Sequence, residues 1–87
     1  MSTASRRLNQ AILEVVDNQI RDNDPPVTRE TFDRLVAEGF PPDHARSLIG
    51  CVVASEIFDV LTHQQPYNED RFVKALRNLP ALPEPSE

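Results

Sequence analysis

Glu56, Asp59 and His63 are the residues whose types and spacing are best suited to chemistry. They follow one another at i, i+3 and i+7, so a helix would place them on roughly the same side. A carboxylate and an imidazole one or two turns apart can share a metal ion or exchange a proton. One hypothesis is therefore a metal-binding or enzyme-accessory protein that uses these three side chains.

The alternative interpretation of this cluster is structural. Glu56 falls in the middle of an apolar arc, where a carboxylate needs an ion-pair partner, and Arg71, Arg6 and Arg7 are the candidate partners. A metal site needs three or four ligands, and no Glu-x-x-His or Cys/His pair occurs elsewhere in the chain. We therefore expect a polar cluster that holds neither metal nor cofactor. Its members are Glu56, Asp59, His63 and Arg71.

Nucleophilic catalysis is not predicted. Cys51 is the only cysteine, and it has no histidine at motif spacing to act as a base. We expect Cys51 to be a small core or interface residue and His44 to be a neutral surface residue. The chain also lacks a glycine-rich phosphate loop and a Ser-His-Asp pattern. These observations predict a protein that is not an enzyme and has no catalytic residues.

Arg71, Lys74 and Arg77 form a short basic band in the C-terminal part of the chain. Such a band could contact an anion or a nucleic acid, but cations near the end of a helix also complement its dipole. The 87-residue chain carries a formal charge of −5. A nucleic-acid binder needs a basic surface, so we expect no nucleic-acid partner.

Four helices must position these residues, and the first is predicted from Ser5 to Arg21. The Ser5 hydroxyl is its expected N-cap. Its apolar residues recur at the spacing of one buried helix face, and the Pro25-Pro26 pair ends it. That face consists of Leu8, Ile12, Val15, Val16 and Ile20.

The second helix is predicted to begin at Pro26 or Thr28 and to end at Glu38. Two N-caps are open: Asp24, with Pro25 in the first turn, or Thr28 one turn later. Gly39 is expected to close the helix in the left-handed conformation, so that Phe40 folds back on Leu35. The expected inner face is Phe32, Leu35 and Val36.

The third helix is predicted from Pro42 to His63 or Gln64, and it is apolar over more than half of its circumference. A helix of this kind is covered by its neighbours or by a second subunit. Cys51, Ala54 and Phe58 lie on the remaining side. The broad apolar arc consists of Ala45, Leu48, Ile49, Val52, Val53, Ile57, Val60 and Leu61.

The fourth helix is predicted from Glu69 to Leu79. Asn68 is its expected N-cap, and Tyr67 should pack on Phe72 as a hydrophobic staple. Pro80 ends the helix. The expected buried face is Phe72, Val73, Leu76 and Leu79.

The length of the chain predicts one domain, residues 1–79, followed by a proline-rich acidic tail, residues 80–87, that is expected to be extended or disordered. No apolar run reaches the length of a membrane span, and no secretory signal follows Arg6 and Arg7. We expect a cytoplasmic protein without a membrane partner.

Two resemblances concern parts of this pattern. The segment from Leu35 to Ala45, with its helix ending in Gly39-Phe40, resembles the first loop of ubiquitin-associated domains over about 15 residues. Those domains end their second helix quickly, whereas the helix here runs on past Ile49. A helix-turn-helix DNA motif is a weaker match, because Asp43 would face phosphates.

Along most of its length the chain resembles a group of short helical bacterial proteins of unknown function. This resemblance implies a four-helix layout and a bacterial source, and it implies no activity. The segments that carry it are Asn23-Asp24-Pro25-Pro26, Glu38-Gly39-Phe40, residues 56–61 and Arg71-Phe72 to Leu79-Pro80.

Taken together, these patterns predict an all-α fold, a compact bundle of four helices with a long central third helix. The predicted function is a small protein-interaction or assembly module without catalytic activity, whose partner is another protein or a second copy of the chain. The apolar residues of the third helix exceed what three short helices can cover, so an uncovered patch is expected to form the contact surface, as in a two-fold dimer. The alternative is that the first helix or the tail residue Leu82 folds over this side and leaves a monomer. The candidate interaction surface is Cys51, Ala54, Phe58 and Leu61.

Overall fold

Four helices make up the computed structural model, which describes residues 3–64 and 66–82 of the backbone and the side chains of residues 6–64 and 66–82. Within these residues there is no strand, and α3 is the longest helix at 22 residues. The predicted all-α bundle with a long central third helix is therefore confirmed. The helices are α1 (Thr3–Asp22), α2 (Pro26–Ala37), α3 (Pro42–His63) and α4 (Glu69–Asn78).

The helices α2 and α3 each pack against all three of the others, whereas α1 and α4 make no contact with each other in the described part of the chain. One side of α3 therefore stays uncovered between α1 and α4. The core lies on the opposite side, where the inner faces of all four helices meet. Its buried apolar residues are Ile12, Val16, Leu35, Ala45, Leu48, Ile49, Val52, Val53, Phe72, Leu76 and Leu79.

The predicted N-cap of α1 is wrong. The helix begins at Thr3, so Ser5 lies inside its first turn and not at its boundary. No proline or glycine precedes Leu8, and a serine favours a helix start without enforcing one, so the helix extends toward the N-terminus.

Both predicted N-caps of α2 are also wrong. The helix begins at Pro26, and Pro25 is its N-cap residue, extended at φ −74° and ψ 150° without a side-chain hydrogen bond. A proline forces the residue before it out of the α region, and its own φ suits the first helical position. Thr28 is buried inside the helix, where its hydroxyl donates a 2.8 Å hydrogen bond to Oε1 of Gln19. That bond ties α2 to α1.

The turn between α2 and α3 agrees with the prediction. Gly39 has φ +107°, and its N–H donates to the Val36 carbonyl at 3.0 Å. The Phe40 N–H donates to the Leu35 carbonyl at 3.1 Å, and the Phe40 side chain packs against the core. This pair of bonds satisfies the last carbonyls of α2 and sets the direction in which α3 leaves.

The start of α4 also follows its predicted caps. Oδ1 of Asn68 accepts a 3.0 Å hydrogen bond from the Arg71 N–H, and the Tyr67 and Phe72 rings lie 6.0 Å apart. At the other end, a guanidinium nitrogen of Arg34 on α2 donates to the Leu76 carbonyl at 3.1 Å. This bond ties the C-terminal end of α4 to α2.

Several apolar residues that were assigned to inner faces are exposed, and these assignments are wrong. Periodicity identifies an apolar face but not the length over which a neighbouring helix covers it. These residues lie toward the end of a helix or at the edge of its buried stripe, beyond the reach of the next helix. The exposed residues are Leu8, Val15, Val36 and Ile57, whereas the exposure of Leu61 agrees with its place on the candidate interaction surface.

The predicted tail begins within the described residues and continues beyond them. Residues 80–82 turn back after α4, with the Ala81 N–H donating to the Asn78 carbonyl at 2.9 Å. Residues 83–87 of the predicted extended or disordered tail lie outside the described residues. In the part of the chain that the structure describes, none of the helices has the length and apolar character needed to cross a bilayer.

The two glycines of the chain provide a matched test of the backbone. Gly39→Ala should lower the free energy of unfolding by about 1–2 kcal/mol, because an L side chain is strained at positive φ. A Cβ on Gly50 would lie 3.4 Å from the nearest Ile12 atom, an ordinary contact. Gly50→Ala should therefore raise the free energy of unfolding by up to about 1 kcal/mol, because alanine favours a helix more than glycine does. Urea denaturation measures both, and a stabilising Gly39→Ala would contradict the turn described above.

Candidate functional site

An ion pair between Glu56 and Arg71 forms the centre of the polar cluster. Nε of Arg71 donates to both carboxylate oxygens of Glu56 at 3.0 and 3.2 Å, and Nη2 donates to Oε1 at 2.7 Å. The structure thus selects Arg71 among the three arginines that the sequence offered, while Arg6 and Arg7 remain exposed. The pair joins α3 to the first turn of α4.

Local structure on α4 positions the arginine of this pair. Asn68 caps the helix through the backbone N–H of Arg71, and this holds the Arg71 side chain at the α3 side. The hydrogen bond to Glu56 raises the pKa of Arg71, burial opposes this effect, and the charges of Glu56 and Asp59 add to it. Arg71 is thus committed to α3 and does not join Lys74 and Arg77 in an exposed basic band.

Asp59 and His63 lie one turn apart on α3, beyond the buried pair. Nδ1 of His63 is 3.9 Å from Oδ1 of Asp59, a distance at which two charges interact but a hydrogen bond does not form. Both oxygens of Glu56 already accept bonds from Arg71. Among the described residues, no three His, Cys, Asp or Glu side chains are arranged to hold a metal ion.

Cys51 and His44 both lie at the surface. The thiol of Cys51 is free and exposed, so its assignment as a core residue is wrong and its assignment to an interface remains a prediction. Cys51 is exposed although its neighbours Gly50 and Val52 are buried, since consecutive residues of a helix point about 100° apart. His44 is exposed, as predicted, and its ring contacts that of Phe40 edge-on at a centroid distance of 5.3 Å.

An apolar groove of about 570 Å³ runs along the uncovered side of α3, and α1 forms its other wall. It brings together all four residues of the predicted interaction surface. None of its lining residues is charged. We call this feature the apolar groove, and its lining is Leu8, Ile12, Cys51, Ala54, Ser55, Ile57, Phe58, Leu61 and Leu82.

Five residues of the groove were not among the predicted surface residues, namely Leu8, Ile12, Ser55, Ile57 and Leu82. Leu8 and Ile57 were assigned to buried faces, and Leu82 was assigned to the tail. Leu82 follows α4 and lines the groove while remaining about half exposed. As the one large apolar residue of residues 80–87, Leu82 was the tail residue for which a contact with this side of the third helix was the alternative prediction.

The large side chains of the groove are unusually exposed. Phe58 is 58% and Leu61 is 75% exposed, and Leu8, Ile57 and Leu82 lie between 44% and 59%. With roughly 200 Å² for a fully exposed large apolar side chain, these five present on the order of 600 Å² to solvent. That is the upper end of the largest apolar patch on a typical monomer, and such patches often mark contact surfaces.

A second cavity of about 290 Å³ continues the groove toward the N-terminal half of α3. It shares Ile12, Cys51 and Ala54 with the apolar groove, so the two form one channel between α1 and α3. The α3 residues of this continuation are small: Ser47, Gly50, Cys51 and Ala54.

A third cavity, of about 310 Å³, lies on the other side of the ridge that Ile57 and Leu61 form. Glu56 and Tyr67 are among its lining residues, so it adjoins the polar cluster. Burial raises the pKa of Tyr67, and the negative charges of Glu69 and Glu56 raise it further.

Comparisons of this chain with protein-family models, with curated proteins and with solved structures find no match. Its function is accordingly inferred from the geometry of its own residues.

Two carboxylates with matched partners test whether Glu56 is structural. Glu56 and Asp17 each accept hydrogen bonds from one arginine through both oxygens, but the Glu56 side chain is 9% exposed and that of Asp17 is 48% exposed. Glu56→Ala should lower the free energy of unfolding by roughly 1–4 kcal/mol. Asp17→Ala should cost less than about 1 kcal/mol, because water screens the exposed pair. Equal midpoints of Glu56→Ala and Asp17→Ala in thermal denaturation would show that Glu56 contributes no more to stability than the exposed Asp17.

Tyr67 is the only tyrosine, so ultraviolet absorbance of the phenolate reports its titration directly. We expect its pKa to lie above the ordinary value of about 10, and Glu69→Gln should lower it because one of the raising charges is removed. The stability that the neutral phenol contributes is present below about pH 10 and is lost as the pH rises through the folded pKa. A pKa below the ordinary value would contradict the cavity geometry at Tyr67.

Proposed function

We propose that the chain is a small, non-catalytic protein-interaction or assembly module and that the apolar groove is its contact surface. The observation that carries this proposal is the exposure of Phe58 and Leu61 on a side of α3 that no other helix covers. Exposing large apolar side chains costs solvation free energy, and a contact that buries them recovers it.

The chemistry of the groove supports a protein partner. An interface centre is apolar and contains few charges, while its rim is polar. The groove has an uncharged lining, and Asn9 and Ser47 lie at its continuation. A nucleic-acid partner would require cations at this surface, and the lining contains none.

The thiol of Cys51 agrees with a reducing location. It is exposed in the groove and has no cysteine with which to pair within the chain. A free surface thiol is best preserved in the cytoplasm, so we place the module there.

Photo-crosslinking in the cell tests this proposal. Benzoylphenylalanine in place of Phe58 keeps an aromatic ring in the groove, and the same residue in place of Val36 puts the crosslinker at an exposed apolar position on α2, away from the groove. We expect one discrete adduct from position 58 and no adduct from position 36. Adding Leu61→Asp to the position-58 variant should abolish its adduct.

The same variants must remain folded for the result to count. Since Phe58 and Leu61 are largely exposed, Leu61→Asp should shift the melting temperature by only a few degrees. If Leu61→Asp instead unfolds the chain, or if positions 36 and 58 give the same adducts, the groove is not a specific contact surface.

A further inference from the structure

The small and large residues of α3 occupy different halves of the channel that it forms with α1. The half nearer the N-terminus has small residues that α1 leaves accessible, Ser47, Cys51 and Ala54, and forms a depression. The half nearer the C-terminus carries Phe58 and Leu61, which project into solvent. One surface of a single helix thus contains both a hole and the knobs that could fill such a hole.

We infer that the occupant of the channel is a second copy of this chain, with its α3 antiparallel to the first across a two-fold axis near Ala54 and Ser55. This inference rests on the proposed function, since it names the partner of the same surface. A two-fold interface is isologous, so each half of the surface must fit the other half. Rotation about this axis places Phe58 of each copy over the partner's Cys51.

The arrangement of sizes favours the antiparallel over the parallel orientation. Two parallel copies would oppose Phe58 to the partner's Phe58 and leave the two depressions facing each other, unfilled. In the antiparallel orientation Phe58 meets the partner's Cys51 and Leu61 lies beside the partner's Ser47, so both knobs meet small residues. Helices with small residues at the contact approach to about 8 Å. The channel follows α3 from Ser47 to Leu61, about 21 Å of helix, which is sufficient for a four-turn contact.

The exposed apolar area is appropriate for a dimer of this size. A stable, specific interface buries about 800 Å² on each partner, with the most apolar part at its centre. The large side chains of the groove present on the order of 600 Å² on each copy, leaving a polar rim of modest width to complete the interface.

The net charge of the chain also distinguishes a second copy from a basic partner protein, through the dependence of binding on salt. Each copy has a formal charge of −5, yet no charged residue lines the groove, so two copies repel at a distance but bury no like charges in contact. Added salt screens the repulsion and should therefore tighten the dimer. A basic partner protein would show the opposite dependence.

Disulfide formation between single cysteines tests the predicted axis. In a Cys51→Ser background, Ala54→Cys and Ser55→Cys each place a thiol next to the same introduced thiol of the second chain. We expect rapid oxidation to a covalent dimer. The native Cys51 lies about 5 Å along the helix from the axis, so two copies of it are about 10 Å apart, beyond the ~7 Å Cα separation that a disulfide tolerates. The unmodified chain should therefore form no covalent dimer under the same oxidation.

Two controls complete the experiment. Val36→Cys in the same background should form no covalent dimer, because Val36 lies on α2 away from the channel. In sedimentation equilibrium, Leu61→Asp should raise the dimer dissociation constant at least about 30-fold, whereas Val36→Asp should leave it unchanged.

The outcomes separate this inference from the proposed function. A monomer at every concentration, or disulfides that form as readily at Cys51 or Val36→Cys as at Ala54→Cys, overturns the antiparallel dimer. If the chain is monomeric while the crosslinker at Phe58 still captures a different protein, the module function stands and only the identity of the partner is wrong. If neither association is found, both proposals fail.

Discussion

Along α3 the buried residues extend from Ala45 to Glu56 and end there, although the helix continues to His63. The other helices cover its first four turns on the core side, and beyond Glu56 they leave Ile57, Phe58 and Leu61 in solvent. The limited cover of α3 determines both where the core ends and where the apolar groove begins. Because three exposed large apolar side chains follow one another on this segment, we propose it as the position of a contact.

The ion pair between Glu56 and Arg71 marks the boundary between these two parts of α3. A carboxylate at the edge of the core would be costly without a partner, and α4 brings the arginine that satisfies it. In the described part of the chain, no buried side-chain nitrogen or oxygen lacks a hydrogen-bond partner. The pair therefore joins α4 to α3 at the edge of the core, beside the buried residues Phe72, Leu76 and Leu79.

Local signals in the sequence predicted several helix boundaries correctly. Gly39 and Asn68 act as expected, and α3 begins at Pro42 and ends at His63, because each of these residues determines backbone geometry within a few positions of itself. Of the two predicted starts of α2, Pro26 is the correct one, but its N-cap was predicted wrongly because Asp24 and Thr28 have similar local preferences for that position and Pro25 occupies it.

The extent of burial was harder to predict, since it depends on distant parts of the chain. The apolar spacing of Leu8 and Ile57 is the same as that of truly buried residues, and only the arrangement of neighbouring helices shows that nothing covers them. The hydrogen bond between Thr28 and Gln19 was missed for a similar reason. The pairing of Glu56 with an arginine was anticipated, but three arginines were equivalent until the position of α4 was known.

The measurement that tests this account most directly is a concentration series of backbone amide spectra by nuclear magnetic resonance. We expect amide resonances from Cys51 to Leu61 to shift as the protein concentration rises, with those of Val36 and Leu35 on α2 unchanged. Shifts spread evenly over the four helices, or no shift at any concentration, would contradict the claim that the uncovered side of α3 is a surface for self-association.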